Sequence, residues 1–236
     1  MIGTLINGGA IIIGGLLGML LGDRLPEKLR QTVVAGLGLF IFALGMQMFL
    51  KTQNMLIVLG AILIGIIIGE LLNVEGAIHN LGGWLGKLVS SGGAENQSRF
   101  AKGFMTTTLM FCVGPMAILG SIQDGLTGNH STLAVKAVLD GFAALAFAAS
   151  LGGGVIFSSL PLVVYQGGIS LLAAQVQSVA TPLMMSELTA TGGVIMLAIG
   201  LGSMLELKPI RVGNFLPALF VAPLIVLLLA VLGIHI

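Results

Sequence analysis

Residues 54–73 read N-M-L-I-V-L-G-A-I-L-I-G-I-I-I-G-E-L-L-N, and this stretch decides the class of fold. From Met55 to Gly69 there is no charged side chain. Its large apolar residues fall at every helical angle, so no polar stripe is left to face water. A helix of about 20 residues is roughly 30 Å long, the thickness of a bilayer's hydrocarbon core. The segment reads as a membrane-spanning helix.

Working outward, seven more stretches have this character. The set of eight is 3–22, 32–50, 54–73, 103–122, 132–150, 154–174, 189–206 and 212–234. Composition agrees: hydrophobic residues make up 56% of the 236 positions and charged residues 8%. A soluble domain carries about a quarter charged residues, so this chain lacks the polar surface to cover itself in water. The predicted fold is all-α, a polytopic transmembrane bundle forming a single integral membrane domain over 1–236. No Lys or Arg precedes the apolar run that starts at the N-terminus, the reverse of a secretory signal, so span 1 is expected to be retained. Net charge is +1, which points to neither a nucleic-acid partner nor a polyanion. The one cysteine, Cys112, allows no internal disulfide and no cysteine metal cluster.

Basic residues set the orientation. Arg24, Lys28, Arg30, Lys87, Arg99, Lys102, Lys208 and Arg211 fall on one side of an eight-span arrangement; Lys51 and Lys136 fall on the other. Eight of ten on one side marks that side as cytoplasmic and predicts both termini outside. In the long loop 74–102, apolar residues from Ala77 to Leu88 recur at helical spacing around Trp84. This predicts an interfacial helix over about 76–90, followed by a polar linker from Ser90 to Ser98. An anchor and a gate are both open readings of that arm.

A shift of 184 residues lays span 1 on span 7, with Gly8-Gly9 on Gly192-Gly193 and Gly18 on Gly202, which is compatible with an internal hairpin repeat. F-C-V-G-P (111–115) is echoed by F-S-S-L-P (157–161), so spans 4 and 6 are expected to be broken at Pro115 and Pro161. A proline in a helix frees a carbonyl, which at membrane depth needs a side chain, a water or an ion. Ser158 and Ser159 stand beside Pro161. Ions and simple kinks both answer to this pattern. Gly14, Gly18 and Gly22, like Gly65 and Gly69, recur at four-residue spacing and make smooth faces for close helix packing.

Asp140 is the most telling ionisable residue, roughly 10 Å inside the outer boundary of span 5. A lone carboxylate there costs several kcal/mol unless it meets protein, water or a cation. Lys136 lies one turn earlier on the same face, so an intrahelical pair is one reading and a cation site another. Asp124, Gln123, Gln166, Asn7 and the Thr106–Thr108 run supply further oxygens, a donor set that suits Na+, or a proton carried on Asp. Asp23, Glu70 and Glu206 sit at cytoplasmic helix ends beside Arg and Lys and read as interfacial pairs. His79, His130 and His235 fall in loops or at the tail, and no H-E-x-x-H, P-loop or G-x-S-x-G occurs. An enzyme is therefore not expected, nor a metal centre or a cofactor other than bound Na+.

The runs F-C-V-G-P-M-A-I-L-G-S-I-Q-D-G-L (111–126), K-A-V-L-D-G-F (136–142) and F-S-S-L-P (157–161), with I-G-T-L-I-N-G-G-A (2–10) and G-D-R-L-P (22–26), resemble the YqgA-like family of bacterial inner-membrane proteins. The resemblance covers the whole chain. It implies a bacterial plasma membrane, and the family's description as a domain of unknown function, sometimes labelled a sodium channel or pump. It also implies roles for Asn7, Gln123, Asp124, Lys136, Asp140 and Gln166. The expected function is a transporter or channel for a small cation, Na+ or H+, with Asp140 and Asp124 as charge partners and Gln123, Gln166, Asn7 and Ser158 as further ligands. The alternative is a non-transporting scaffold, assembly factor or sensor. Partners are the lipid bilayer and a small cation or solute, with room for a homo-oligomer.

Overall fold

The computed structural model describes residues 1–22, 26–89, 94–205 and 207–233. Asp23, Arg24, Glu206, His235 and the first part of the polar linker, 90–93, lie outside the described residues. The protein is an all-α polytopic bundle. In chain order the helices are α1 (Ile2–Gly22), α2 (Glu27–Phe49), α3 (Met55–Leu72), α4 (Val74–Val89), α5 (Ala94–Cys112), α6 (Pro115–Thr127), α7 (Ser131–Leu151), α8 (Gly154–Phe157), α9 (Ser159–Leu171), α10 (Ala173–Val179), α11 (Pro182–Ala198) and α12 (Ala218–Val231). Among the described residues, seven helical stretches are long and apolar enough to cross a membrane; the bent pair α5 and α6 makes an eighth.

The starts of two spans differ most from the sequence expectation. Span 7 starts at Pro182 rather than 189, because Thr181 caps the helix by accepting the Met184 N–H at 3.2 Å and Pro182 needs no N–H partner in the first turn. Span 4 is longer than 103–122: α5 already starts at Ala94, so the second half of the expected linker is helical. The stretch expected to form an interfacial helix is helical, as α4.

The chain sorts into two compact units, each visited twice. Unit 1 holds Met1–Val34 and His79–Val179; unit 2 holds Ala35–Ile78 and Ala180–Ile236.

In unit 1, α1 and α7 run parallel. Gly3 lies against Leu133, Gly14 against Gly141, Gly18 against Leu145 and Gly22 against Ala149. The partners advance in step, and three of them are touched through backbone carbonyl oxygens. A side chain at these glycines would occupy the place of the neighbouring helix, so the four-residue glycine spacing is a close-packing face. The opposite face of α1 carries Leu5, Ile13 and Leu20, each exposed. Buried Thr4, Asn7 and Gly8 face protein while Leu and Ile face outward, the inverse of a water-soluble helix. α9 returns antiparallel to α1, with Gly8 against Val163 and Gly15 against the α8 residue Ile156.

In unit 2, α3 packs antiparallel on α12 and the 3-10 turn Val212–Phe215 before it: Gly65 meets Ala218 and Gly69 meets Asn214. α2 packs antiparallel on α11, where a Cβ on Gly45 would stand 2.7 Å from the Gly193 carbonyl oxygen. Spans 1 and 7 thus share glycine pairs but not partners. They also end differently, since α11 passes into a π-helical turn, Ile199–Met204, while α1 stays α-helical to Gly22.

The two proline breaks differ as well. α5 and α6 meet at a bend of 61° around Val113 and Gly114, with Gly114 at φ 143°. α8 and α9 remain a single span. There the Ser158 hydroxyl donates to the Val155 carbonyl and the Ser159 hydroxyl to Ile156, at 2.6 and 2.7 Å. Both hydroxyls bond carbonyls of the turn before Pro161, and neither acceptor is Phe157, whose carbonyl the missing Pro161 N–H would have bonded.

Candidate functional site

Lys136 and Asp140 are one turn apart on α7 and form a buried ion pair; the two residues are 7% and 8% exposed. The Lys136 ammonium also lies 6.0 Å from the ring centre of fully buried Phe111. From α1, the Asn7 amide donates to Asp140 Oδ2 at 3.0 Å and reaches Gln166 Oε1 on α9 at 3.4 Å. Asn7 and Gln166 are both fully buried. Three helices therefore meet at the Asn7 amide, which links Asp140 of α7 to Gln166 of α9. Isolated in hydrocarbon, either charge would cost several kcal/mol; the pair and the Asn7 amide together offset that cost.

Asp124 joins from α6. Its Oδ2 accepts the Gly3 N–H at 3.0 Å, and the Met1 amino group lies 3.0 Å from the same oxygen. This places a negative charge at the start of α1, where free N–H groups and the helix dipole favour it. The Ser170 hydroxyl of α9 donates to the Ser121 carbonyl at 2.9 Å and ties α9 to α6. Gly3 and Asn7 are separated by about 6 Å of helix rise, so both carboxylates engage the same end of α1. Four buried polar atoms at this end have no hydrogen-bond partner among the described residues: Thr4 Oγ1, Asn7 Oδ1, Asp124 Oδ1 and Gln166 Nε2. Each such atom costs about 1–3 kcal/mol when left bare. Three of the four are oxygens, on neutral or anionic groups.

The structure brings together Asn7, Asp140 and Gln166, and places Asp124 beside them along α1. Gln123 is elsewhere: it is exposed, and its Oε1 accepts from the Thr132 hydroxyl at 2.7 Å. Ser158 is buried but stands two turns from Gln166, about 12 Å along the helix, with its hydroxyl spent on Val155. In the threonine run, Thr107 bonds the Gly103 carbonyl, while the hydroxyls of Thr106 and Thr108 have no partner among the described residues. Among the described residues no group of three His, Cys, Asp or Glu is arranged to hold a metal ion.

Two residues escaped the sequence reading. Thr4 gave no signal beyond being a polar residue in an apolar run. Glu187 was read as loop, yet it is fully buried in unit 2. Its carboxylate accepts from the Gln53 N–H at 2.7 Å, the Asn54 N–H at 3.0 Å and the Thr52 hydroxyl at 2.7 Å. It seals the start of α3 as Asp124 seals the start of α1. The Thr181-Pro182 helix start was the available clue. Glu70 pairs with exposed Arg211 at 2.8 Å, as expected of a helix-end carboxylate. Glu75 and the 213–214 backbone and side chain lock reciprocally: Asn214 Oδ1 accepts the Glu75 N–H, and Glu75 accepts the Gly213 N–H.

Long apolar helices packed through glycine faces, with polar side chains turned inward, define a multi-pass integral membrane protein. Within that class the chain belongs to the family described as "Protein of unknown function (DUF554)", which matches residues 2–227. It is similar to "Uncharacterized protein YqgA" of Escherichia coli (strain K12), 34% identical over 222 residues and 94% of each chain. It is also similar to "Uncharacterized membrane protein YdfK" of Bacillus subtilis (strain 168), 27% identical over 241 residues and 100% of each chain. No solved structure matches.

Proposed function

We propose that the protein is a transporter or channel for a small cation, Na+ or H+, in a bacterial plasma membrane, with the Asp124 and Asp140 end facing away from the cytoplasm. The observation that carries this reading is the set of bare buried oxygens, Thr4 Oγ1, Asn7 Oδ1 and Asp124 Oδ1, at the end of α1 where the Asn7 amide bonds Asp140. Oxygen donors on carboxylate, amide and hydroxyl suit a hard cation. Lys136 then acts as a tethered counter-ion: an entering cation takes its place on Asp140, and Lys136 restores neutrality after release. Asn7 holds the carboxylate in both states.

A second reading, a membrane scaffold or sensor without transport, is favoured by the completed Lys136–Asp140 pair, which already neutralises the site. One experiment separates the two. The Lys136→Gln/Asp140→Asn double variant removes both charges together and so leaves neither one buried alone. In proteoliposomes, cation transport predicts loss of Na+- or H+-dependent flux at an unchanged melting temperature. Flux equal to wild type overturns the assignment of Asp140. Absence of flux in the wild type for either ion, together with a melting temperature that neither ion shifts, favours the scaffold, because a cation bound to the folded state must stabilise it.

A further inference from the structure

The break in the bent span of unit 1 stands beside the ion pair. α5 stops at Cys112 and α6 starts at Pro115, midway along the bent stretch from Asn96 to Thr127. Four residues after Phe111 comes Pro115, which has no N–H, so the Phe111 carbonyl loses its helical donor. Among the described residues no backbone donor reaches the carbonyls of Met110 or Cys112 either; the last turn closes only through the Val113 N–H on the Leu109 carbonyl, at 2.9 Å. Three carbonyls thus end α5 inside a span, where a carbonyl without a partner is costly. A helix C-terminus carries partial negative charge and favours a cation.

Lys136 faces this end of α5. Its ammonium lies 6.0 Å from the centre of the Phe111 ring, and Phe111 is fully buried in the last turn of α5. The next residue, Cys112, is close enough for its thiol to interact with the charges of both Lys136 and Asp140. The ammonium therefore has two negative neighbours. One is Asp140, one turn along its own helix, which it bonds. The other is the end of α5. The flexible four-carbon stem of a lysine lets the ammonium swing between them while α7 stays in place. We propose that the end of α5 at this break is a second station for the Lys136 ammonium, which receives it when a small cation neutralises Asp140. The inference rests on the transport reading for that trigger. It supplies what the exchange on Asp140 needs: a displaced ammonium left buried without a partner would oppose cation entry. Phe111 is then a positioning residue, its ring holding the ammonium at the carbonyls by cation–π attraction.

The test uses the full chain in mixed micelles, unfolded by SDS titration. A double-mutant cycle of Lys136→Met with Phe111→Leu is run in the wild-type background and again with Asp140→Asn, whose neutral amide stands in for the occupied carboxylate. The cycle cancels the packing lost with the ring and leaves the coupling of ammonium to ring. The expected coupling is about twofold in the unfolding constant with Asp140 present and at least about tenfold with Asp140→Asn, as the ammonium moves onto the ring and terminus. Coupling that does not rise with Asp140→Asn overturns the proposal. A second arm needs no change at Asp140: in proteoliposomes Phe111→Leu should slow Na+- or H+-dependent flux by about tenfold, and Phe111→Tyr, which keeps the ring, should restore it. Flux through Phe111→Leu equal to wild type also overturns the proposal. Absence of flux in the wild type sinks the transport reading instead, and the cycle then decides by itself whether the second station exists.

Discussion

Removing Asp140 and Lys136 separately and together measures how much of unit 1 rests on their pair. Both residues are more than nine-tenths buried, and the only other partner of Asp140 among the described hydrogen bonds is Asn7. Asp140→Leu leaves the Lys136 ammonium with the Phe111 ring and no counter-ion. Lys136→Met leaves the carboxylate with one amide. Breaking a buried pair from one side costs about 3–5 kcal/mol, because the remaining charge stays buried. Independent effects would then sum to roughly 6–10 kcal/mol in the double variant. The pair removed as a unit should instead fall within about 1–2 kcal/mol of wild type, since replacing a buried ion pair by apolar side chains is often neutral. The expected coupling is therefore at least about 4 kcal/mol, well above the 0.6 kcal/mol average of hydrogen bonds between membrane helices. The assay is reversible unfolding in mixed micelles by SDS titration for wild type, both single variants and the double. A double variant as unstable as the summed singles would refute the ion pair as the unit of stability.

Two further predictions concern packing and capping. Gly18→Ala sets a methyl group against the Leu145 carbonyl and Ala148 Cβ, and should destabilise by about 1–3 kcal/mol, whereas Gly9→Ala on the same helix meets nothing within 4 Å and should cost nothing in the same titration. Glu187→Ala strands the Gln53 and Asn54 N–H groups at the start of α3 and should lose about 2–3 kcal/mol, with faster hydrogen exchange at those two amides; Glu187→Gln, which keeps an acceptor oxygen, should lose less.

The membrane class and the seven or eight apolar spans were legible along the chain. Each span is a run of apolar residues that satisfies its own backbone bonds, so a window of about 20 residues carries the whole signal. The glycine intervals at 14, 18 and 22 announced a packing face, and the spacing of Lys136 and Asp140 announced their pair. The start of α11 lies before the expected span and carries Glu187; only the loop at Thr52–Asn54, more than 130 positions away, shows how its charge is met. Likewise Gln123 and Asp124 are neighbours in the chain but face opposite environments, one exposed and one buried, by the roughly 100° turn between successive helical residues.

What the sequence by itself determined is local: which segments are apolar helices and where their smooth faces lie. What only the tertiary structure decided is lateral: that the α1 glycines meet α7 in parallel, and that Asn7, Asp140 and Gln166 share one cluster across more than 150 positions. The physical reason is that lipid is as apolar as leucine. Hydropathy drives each helix into the membrane but does not choose its neighbour; close contact and hydrogen bonding between particular faces do.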